Sequence, residues 1–225
     1  KPPNAARPPP HFYGFPPQNA PGRASLLFWL RPAAVSAILA LSYQNRGSFM
    51  AEQQGLVHIY YGDGKGKTTA AFGLAFRCAG WGKRAVIAQF LKSSPCGEVT
   101  AAERFPELTV LRSKGIRKFT FQMNEAQKAA TAAECAALFQ QAVELAQARE
   151  ARLLVLDEVI DAVRGFLPLE ALCSFLDHRP AGLEVVLTGH SLPEQLAARA
   201  HYITRMAKEK HPYDQGVTAR REIEF

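Results

Sequence analysis

A chain of 225 residues suits one sizeable α/β domain and is short for two. Apolar residues make up 48% of it, enough for a buried core, which excludes wholesale disorder. The net charge of +7 would suggest a nucleic-acid or membrane partner. Residues 1–50, however, hold five basic side chains (Lys1, Arg7, Arg23, Arg31, Arg46) and no acid, so the other 175 residues carry 22 basic against 20 acidic groups. That near balance argues against nucleic acid.

The first fifty residues differ in kind from the rest. Nine of the 15 prolines lie here, in runs such as "RPPPHFYGFPPQ" that favour extended, unpacked chain. The apolar stretch "LLFWLRPAAVSAILAL" (26–41) is broken by Arg31-Pro32 and falls short of the ~20 residues that span a bilayer, so no membrane span is expected. Residues 1–50 are expected to be an extension outside the folded domain, upstream of or ending at Met50, with a short amphipathic anchor as the alternative. The domain itself is expected over 52–225.

From Gly55 onward, apolar runs alternate with helical stretches, the pattern of a parallel sheet covered by helices. The expected strands are "LVHIYY" (56–61), "RAVIAQFL" (84–91), "LTVLR" (108–112), "LLVLD" (153–157) and "LEVVLT" (183–188), with "YITRM" (202–206) as a sixth candidate. Their continuous apolar character suits strands buried on both faces. The clearest helix covers 125–150, with Asn124 as N-cap and Gln127 three residues on. The fold class expected is a three-layer α/β/α fold of the P-loop NTPase type with a mostly parallel central sheet. The four cysteines show no CxxC pair or metal-ligand spacing and read as reduced, mostly buried small apolar residues.

The stretch "YYGDGKGKTTAAFG" lies between the first strand and a helix expected from Lys67 to about Gly80. Its glycines let backbone N–H groups turn around an anion, and the helix N-terminus adds its own N–H groups and positive dipole end. Gly62, Asp63, Gly64, Lys65, Gly66, Lys67, Thr68 and Thr69 are therefore expected to cradle the phosphates of a nucleotide. Lys67 would reach phosphate oxygens and the Thr68 hydroxyl would sit on Mg²⁺. The pattern departs from G-x-x-x-x-G-K-[ST] at its first position, where Tyr61 stands. The strand "LLVLDEV" delivers Asp157 and Glu158 to the sheet's C-terminal edge, where such folds bind ligands, and a carboxylate there would complete the Mg²⁺ environment. Glu158 suits either a metal ligand or a base that activates water, and spacing leaves both open.

Taken together, "YGDGKGKTT", "AAFGLAFRCAGWGKRAVIAQFLKS", Gly97-Glu98, "LLVLDEV", "LPLE" and "KHPYDQGV" resemble, in the same order, the P-loop-type ATP:corrinoid adenosyltransferases. The resemblance covers residue 56 to the C-terminus, and Tyr61 at the missing glycine is in keeping with it. It implies that the cobalt of a Co(I) corrinoid attacks C5′ of ATP and that triphosphate leaves intact. The protein then need not activate a nucleophile, because the corrinoid supplies it. On this implication Lys67, Thr68 and Glu158 act on the leaving group, with Thr68, Asp157 and Glu158 as metal ligands. An electron donor for cobalt, a homodimer and a cytoplasmic location are implied as well. The segment "KFTFQMN" resembles the stretch that displaces the corrinoid's lower ligand, which would place Phe119 and Phe121 beneath the ring. Without the resemblance both would read as ordinary core residues.

Two departures from the family pattern stand out. Where relatives show Thr-Gly-Arg, this chain has Thr188-Gly189-His190, and in "ARREIEF" Glu222 occupies a glycine position. His58 and His178 read as structural. Two rival readings predict different chemistry. A phosphate-cleaving P-loop NTPase would release ADP and phosphate without corrinoid, and a non-catalytic ATP-gated corrinoid carrier would leave the nucleotide whole.

Overall fold

The computed structural model describes residues 54–113 and 123–225. Six strands form one sheet: β1 (Val57–Tyr61), β2 (Ala85–Gln89), β3 (Leu108–Arg112), β4 (Leu153–Asp157), β5 (Glu184–Gly189) and β6 (Tyr202–Arg205). Their order is β3-β2-β4-β5-β1-β6, and every neighbouring pair runs parallel. All six expected strands are present, with ends shifted by at most two residues. β2 and β4 are buried at all five positions, because helices cover both faces of the sheet.

The helices are α1 (Lys67–Ala79), α2 (Gly97–Ala102), α3 (Glu125–Ala148), α4 (Val159–Ala162), α5 (Leu169–His178) and α6 (Glu194–Ala197), followed by a 3₁₀ turn at Pro212–Gln215. Two separate cores give the three layers. On one face Ala71, Phe72 and Ala75 of α1 pack on Ile87, Val155 and Val186. On the other, Cys135, Leu138, Ala142 and Ala146 of α3, with Leu172 and Leu176 of α5, pack on Val86, Ala88, Leu154, Leu156 and Leu187. Alternate residues of one strand thus serve opposite cores, the two-residue period of an extended chain.

α3 begins as its sequence requires. Asn124 Oδ1 accepts from the Gln127 N–H at 2.9 Å, and Gln127 Oε1 accepts from the Asn124 N–H at 3.1 Å, a reciprocal capping box. Asn124→Ala removes one acceptor for an otherwise unpaired helix N–H and is expected to cost about 1 kcal/mol, read as a lower denaturant midpoint at unchanged slope. Buried positions Thr131, Cys135, Leu138, Ala142 and Ala146 recur at helical spacing and form the core-facing stripe.

β6 departs from the buried-strand expectation. It pairs with β1 alone and all four residues are exposed, since among the described residues no helix covers this edge. The cysteines also split. Cys135 and Cys173 are buried, and burial pushes the Cys135 thiol up to about 11, consistent with an inert packing role. Cys78 and Cys96 are only partly buried, so full burial holds for two of the four; Cys96 precedes α2, a short helix that buries only Ala102. Among the described residues, no helix is long and apolar enough to cross a membrane.

Candidate active site

Five C-terminal strand ends (β1, β2, β3, β4 and β5) meet around a cleft of about 810 Å³. β1 delivers the glycine-rich loop. Gly62 has φ +119°, in the left-handed region, and a Cβ there would lie 2.4 Å from the Met206 carbonyl oxygen. At Gly64 a Cβ would lie 2.7 Å from the same atom, because the Gly64 N–H donates to it at 2.7 Å. These two glycines are therefore demanded by the chain after β6 crossing the loop, a reason independent of any phosphate. The Lys208 N–H donating to Asp63 Oδ1 at 3.2 Å ties the same segment down once more.

Lys67 is nearly buried, and its Nζ donates to the Gly62 and Gly64 carbonyls at 2.7 and 2.9 Å. It thus points into the mouth of the loop with one N–H of its three still available. Lys65 is exposed and donates to Glu224 Oε1 at 3.0 Å. Arg220, foremost, with Lys65 beside it, holds the Glu224 carboxyl well below its ordinary range, at about 2. The C-terminal segment that supplies Glu224 turns at Glu222, whose φ of +73° is left-handed. The conformation that favours glycine is therefore kept here with a glutamate in it.

β4 brings Asp157 to the cleft floor with no exposed surface. It accepts from Thr188 Oγ1 at 2.7 Å, Thr68 Oγ1 at 3.1 Å, Gln89 Nε2 at 3.1 Å and Lys92 Nζ at 3.1 Å. Glu158 follows with φ +63°, a strained value for a residue with a Cβ. Its N–H donates to Thr188 Oγ1 at 2.8 Å, so the hydroxyl that holds Asp157 also sets the direction of Glu158. Burial pushes the Glu158 carboxyl above its ordinary range, with Lys92 opposing and Asp157 adding to the rise. Burial also works against charge on Lys92, yet Asp157 and Glu158 together outweigh it and hold that ammonium above its usual value.

Thr68, Asp157 and Glu158, expected from the sequence to share one role, do converge. Their hydroxyl and carboxylate oxygens form the hard, all-oxygen donor set that Mg²⁺ takes, so the residues present fit that ion. Phe119 and Phe121 lie outside the described residues. His190 lies on the cleft wall, and its Nδ1 and backbone N–H both meet Asp161 Oδ2, at 2.9 and 3.0 Å. His211, just before the 3₁₀ turn, reaches the cleft wall too. His58 and His178 are placed as structural residues. His58 Nε2 meets Glu184 at 2.5 Å and its ring stacks on Tyr202, and His178 Nδ1 bonds the Ser174 carbonyl at 2.8 Å.

This site stands in a chain whose residues 53–225 match the family model described as ATP:corrinoid adenosyltransferase BtuR/CobO/CobP. The chain belongs to the ATP:corrinoid adenosyltransferase family. It is 34% identical over 176 residues to the corrinoid adenosyltransferase CobA of Salmonella typhimurium, an alignment covering 77% of this chain and 87% of that one. It is 31% identical over 176 residues to a corrinoid adenosyltransferase of Pseudomonas aeruginosa, covering 77% and 85%. A third, from a Sinorhizobium species, is 31% identical over 178 residues, covering 77% and 82%.

Sequence reasoning on this adenosyltransferase missed Gln89, Lys92 and Thr188. Each had a signal. Gln89 is a polar residue inside the apolar run "AVIAQF", at a position 0% exposed; Thr188 ends an apolar strand beside that of Asp157; and Lys92 follows Gln89 by three residues. What the sequence lacks is the strand order that seats β2 and β5 on either side of β4.

Proposed function

We propose that this cleft transfers the 5′-deoxyadenosyl group of ATP to a Co(I) corrinoid and releases triphosphate, with Mg²⁺ held by Thr68, Asp157 and Glu158. The observation that carries the reading is the convergence of those three side chains beside the glycine-rich loop, in a chain of this family. Residues 52–225 would then carry the reaction, with residues 1–50 outside the domain.

The chain's own task is to bind and orient. The loop N–H groups from Gly62 to Thr68 and the α1 N-terminus would hold the triphosphate, leaving C5′ facing the corrinoid. Lys67, already aimed into the loop, would direct its remaining N–H to a phosphate oxygen and stabilise charge as the C5′–O bond breaks. Bound magnesium would offset charge on the departing triphosphate. A water-activating role for Glu158 is disfavoured, since on this reading its carboxylate is taken up in holding the metal and the corrinoid itself supplies the nucleophile. An electron donor that brings cobalt to Co(I), a homodimer and a cytoplasmic location belong to the same proposal, supported by the family resemblance.

The deciding experiment is the phosphorus product of an anaerobic reaction with ATP, Mg²⁺ and chemically reduced Co(I) cobalamin. Corrinoid-dependent triphosphate is expected. ADP and phosphate formed regardless of corrinoid would mean an NTPase, and ATP-dependent corrinoid binding without nucleotide loss would mean a carrier. The wedge role of "KFTFQMN" has its own test. A Phe119→Ala, Phe121→Ala double variant should lose activity from Co(II) plus reductant by about tenfold or more, yet stay near wild type with pre-reduced Co(I). Equal losses in both assays would remove the wedge.

A further inference from the structure

Lys92 has no part in the reaction as described, yet its ammonium stands in the middle of the hydroxyl–carboxylate cluster. Nζ donates to Thr68 Oγ1 at 2.8 Å and to Asp157 Oδ2 at 3.1 Å, and pairs with Glu158 Oε1 at 3.1 Å. These are the three side chains assigned above to magnesium. A lysine head group offers three N–H donors and here meets three oxygens, two of them on carboxylates. A divalent ion drawing the same oxygens to roughly 2 Å would sit on top of Nζ, and two cations cannot share that position.

Physical reasons keep Lys92 there and also let it leave. Asp157 is fully buried and Glu158 nearly so, and buried carboxylates need a cationic or hydrogen-bonding partner. The residue before the lysine, Leu91, has a left-handed φ of +55°, which turns the chain back toward the cluster straight after β2. The Lys92 side chain is nevertheless 35% exposed and springs from a loop on the cleft wall, so its flexible stem can swing toward an anion in the cleft.

We propose that Lys92 is the resident counter-ion of the metal position. It neutralises Asp157 and Glu158 until a divalent cation displaces it, and the displaced ammonium is received by the polyphosphate in the same cleft. The inference rests on the magnesium reading above. It makes divalent-cation binding weak in the absence of nucleotide and strong in its presence, and by linkage each ligand raises the affinity for the other. Lys92 is on this account a positioning residue that couples two ligands.

The test is a titration with Mn²⁺ alone and with Mn²⁺ plus ATP, followed by electron paramagnetic resonance. Corrinoid is left out so that ATP is not consumed. Wild type, Lys92→Met and Lys92→Arg are compared. Lys92→Met is expected to bind Mn²⁺ alone about tenfold more tightly than wild type, with a smaller further gain from ATP, while Lys92→Arg follows wild type. Without metal, Lys92→Met should melt below wild type and recover on addition of Mn²⁺ alone. Unchanged or weaker Mn²⁺ binding by a folded Lys92→Met protein overturns the inference. So does wild type binding Mn²⁺ as tightly alone as with ATP, a result that needs no variant. Failure of wild type to bind Mn²⁺ even with ATP would remove the magnesium reading itself, and this inference with it.

Discussion

Replacing Asp157 with asparagine is expected to lower corrinoid adenosylation at least a hundredfold, roughly what loss of one preorganised charge-stabilising group costs. The two oxygens of Asp157 receive four donors, from Thr188, Thr68, Gln89 and Lys92, which uses the acceptor capacity of a carboxylate in full. In the asparagine variant Oδ1 still accepts from Thr188. The new NH₂ then faces Gln89 Nε2 and Lys92 Nζ, donor against donor. Groups left unsatisfied at a buried position cost about 1–3 kcal/mol, so the melting temperature should fall by several degrees as well. Steady-state rates and thermal unfolding check both halves. Near-normal activity would show that the cluster around β4 is structural and that the metal and leaving group lie elsewhere.

The same substitution at two glycines should have opposite effects. Gly62→Ala puts a Cβ 2.4 Å from the Met206 carbonyl at a φ of +119°, so either the loop or the strap after β6 must shift. A cost of about 1–3 kcal/mol is expected, with ATP affinity falling tenfold or more because the displaced loop is the phosphate cradle. Gly73→Ala lies in α1, where an added Cβ meets nothing within 4 Å, and should stabilise by about 0.5–1 kcal/mol with activity unchanged. Denaturant unfolding and equilibrium ATP binding on the pair separate loop geometry from general glycine effects. Tolerance of alanine at position 62 would mean that the crossing of the loop by Met206 is not needed for binding.

Local chemistry was legible without coordinates wherever a signal is confined to a few neighbouring residues. The strand runs, the Asn124 cap, the helix beginning at Lys67, the glycine-rich loop and the acid pair ending "LLVLDE" each carry their cause within a short window. The continuous apolar character of β2 and β4 foretold burial on both faces, because that burial leaves no position for polar alternation. The grouping of Thr68 with Asp157, 89 residues apart, was legible only through motif pairing; a hydrogen bond between them makes it geometric.

Tertiary structure decided what depends on which strands lie side by side. The order β3-β2-β4-β5-β1-β6 brings Gln89 of β2, Lys92 of the loop that follows it, and Thr188 of β5 onto the acid pair at the end of β4, and no local pattern encodes adjacency between segments so far apart in the chain. It also left β6 as an exposed edge and gave the loop glycines a second reason to exist, the backbone of Met206 and Ala207 against them. By itself, the sequence determined the kinds of groups available and the local backbone that presents them, since propensity, capping and loop chemistry act over a few residues. Which lysine faces which carboxylate was decided by sheet topology, because non-local packing alone sets distances across the sheet.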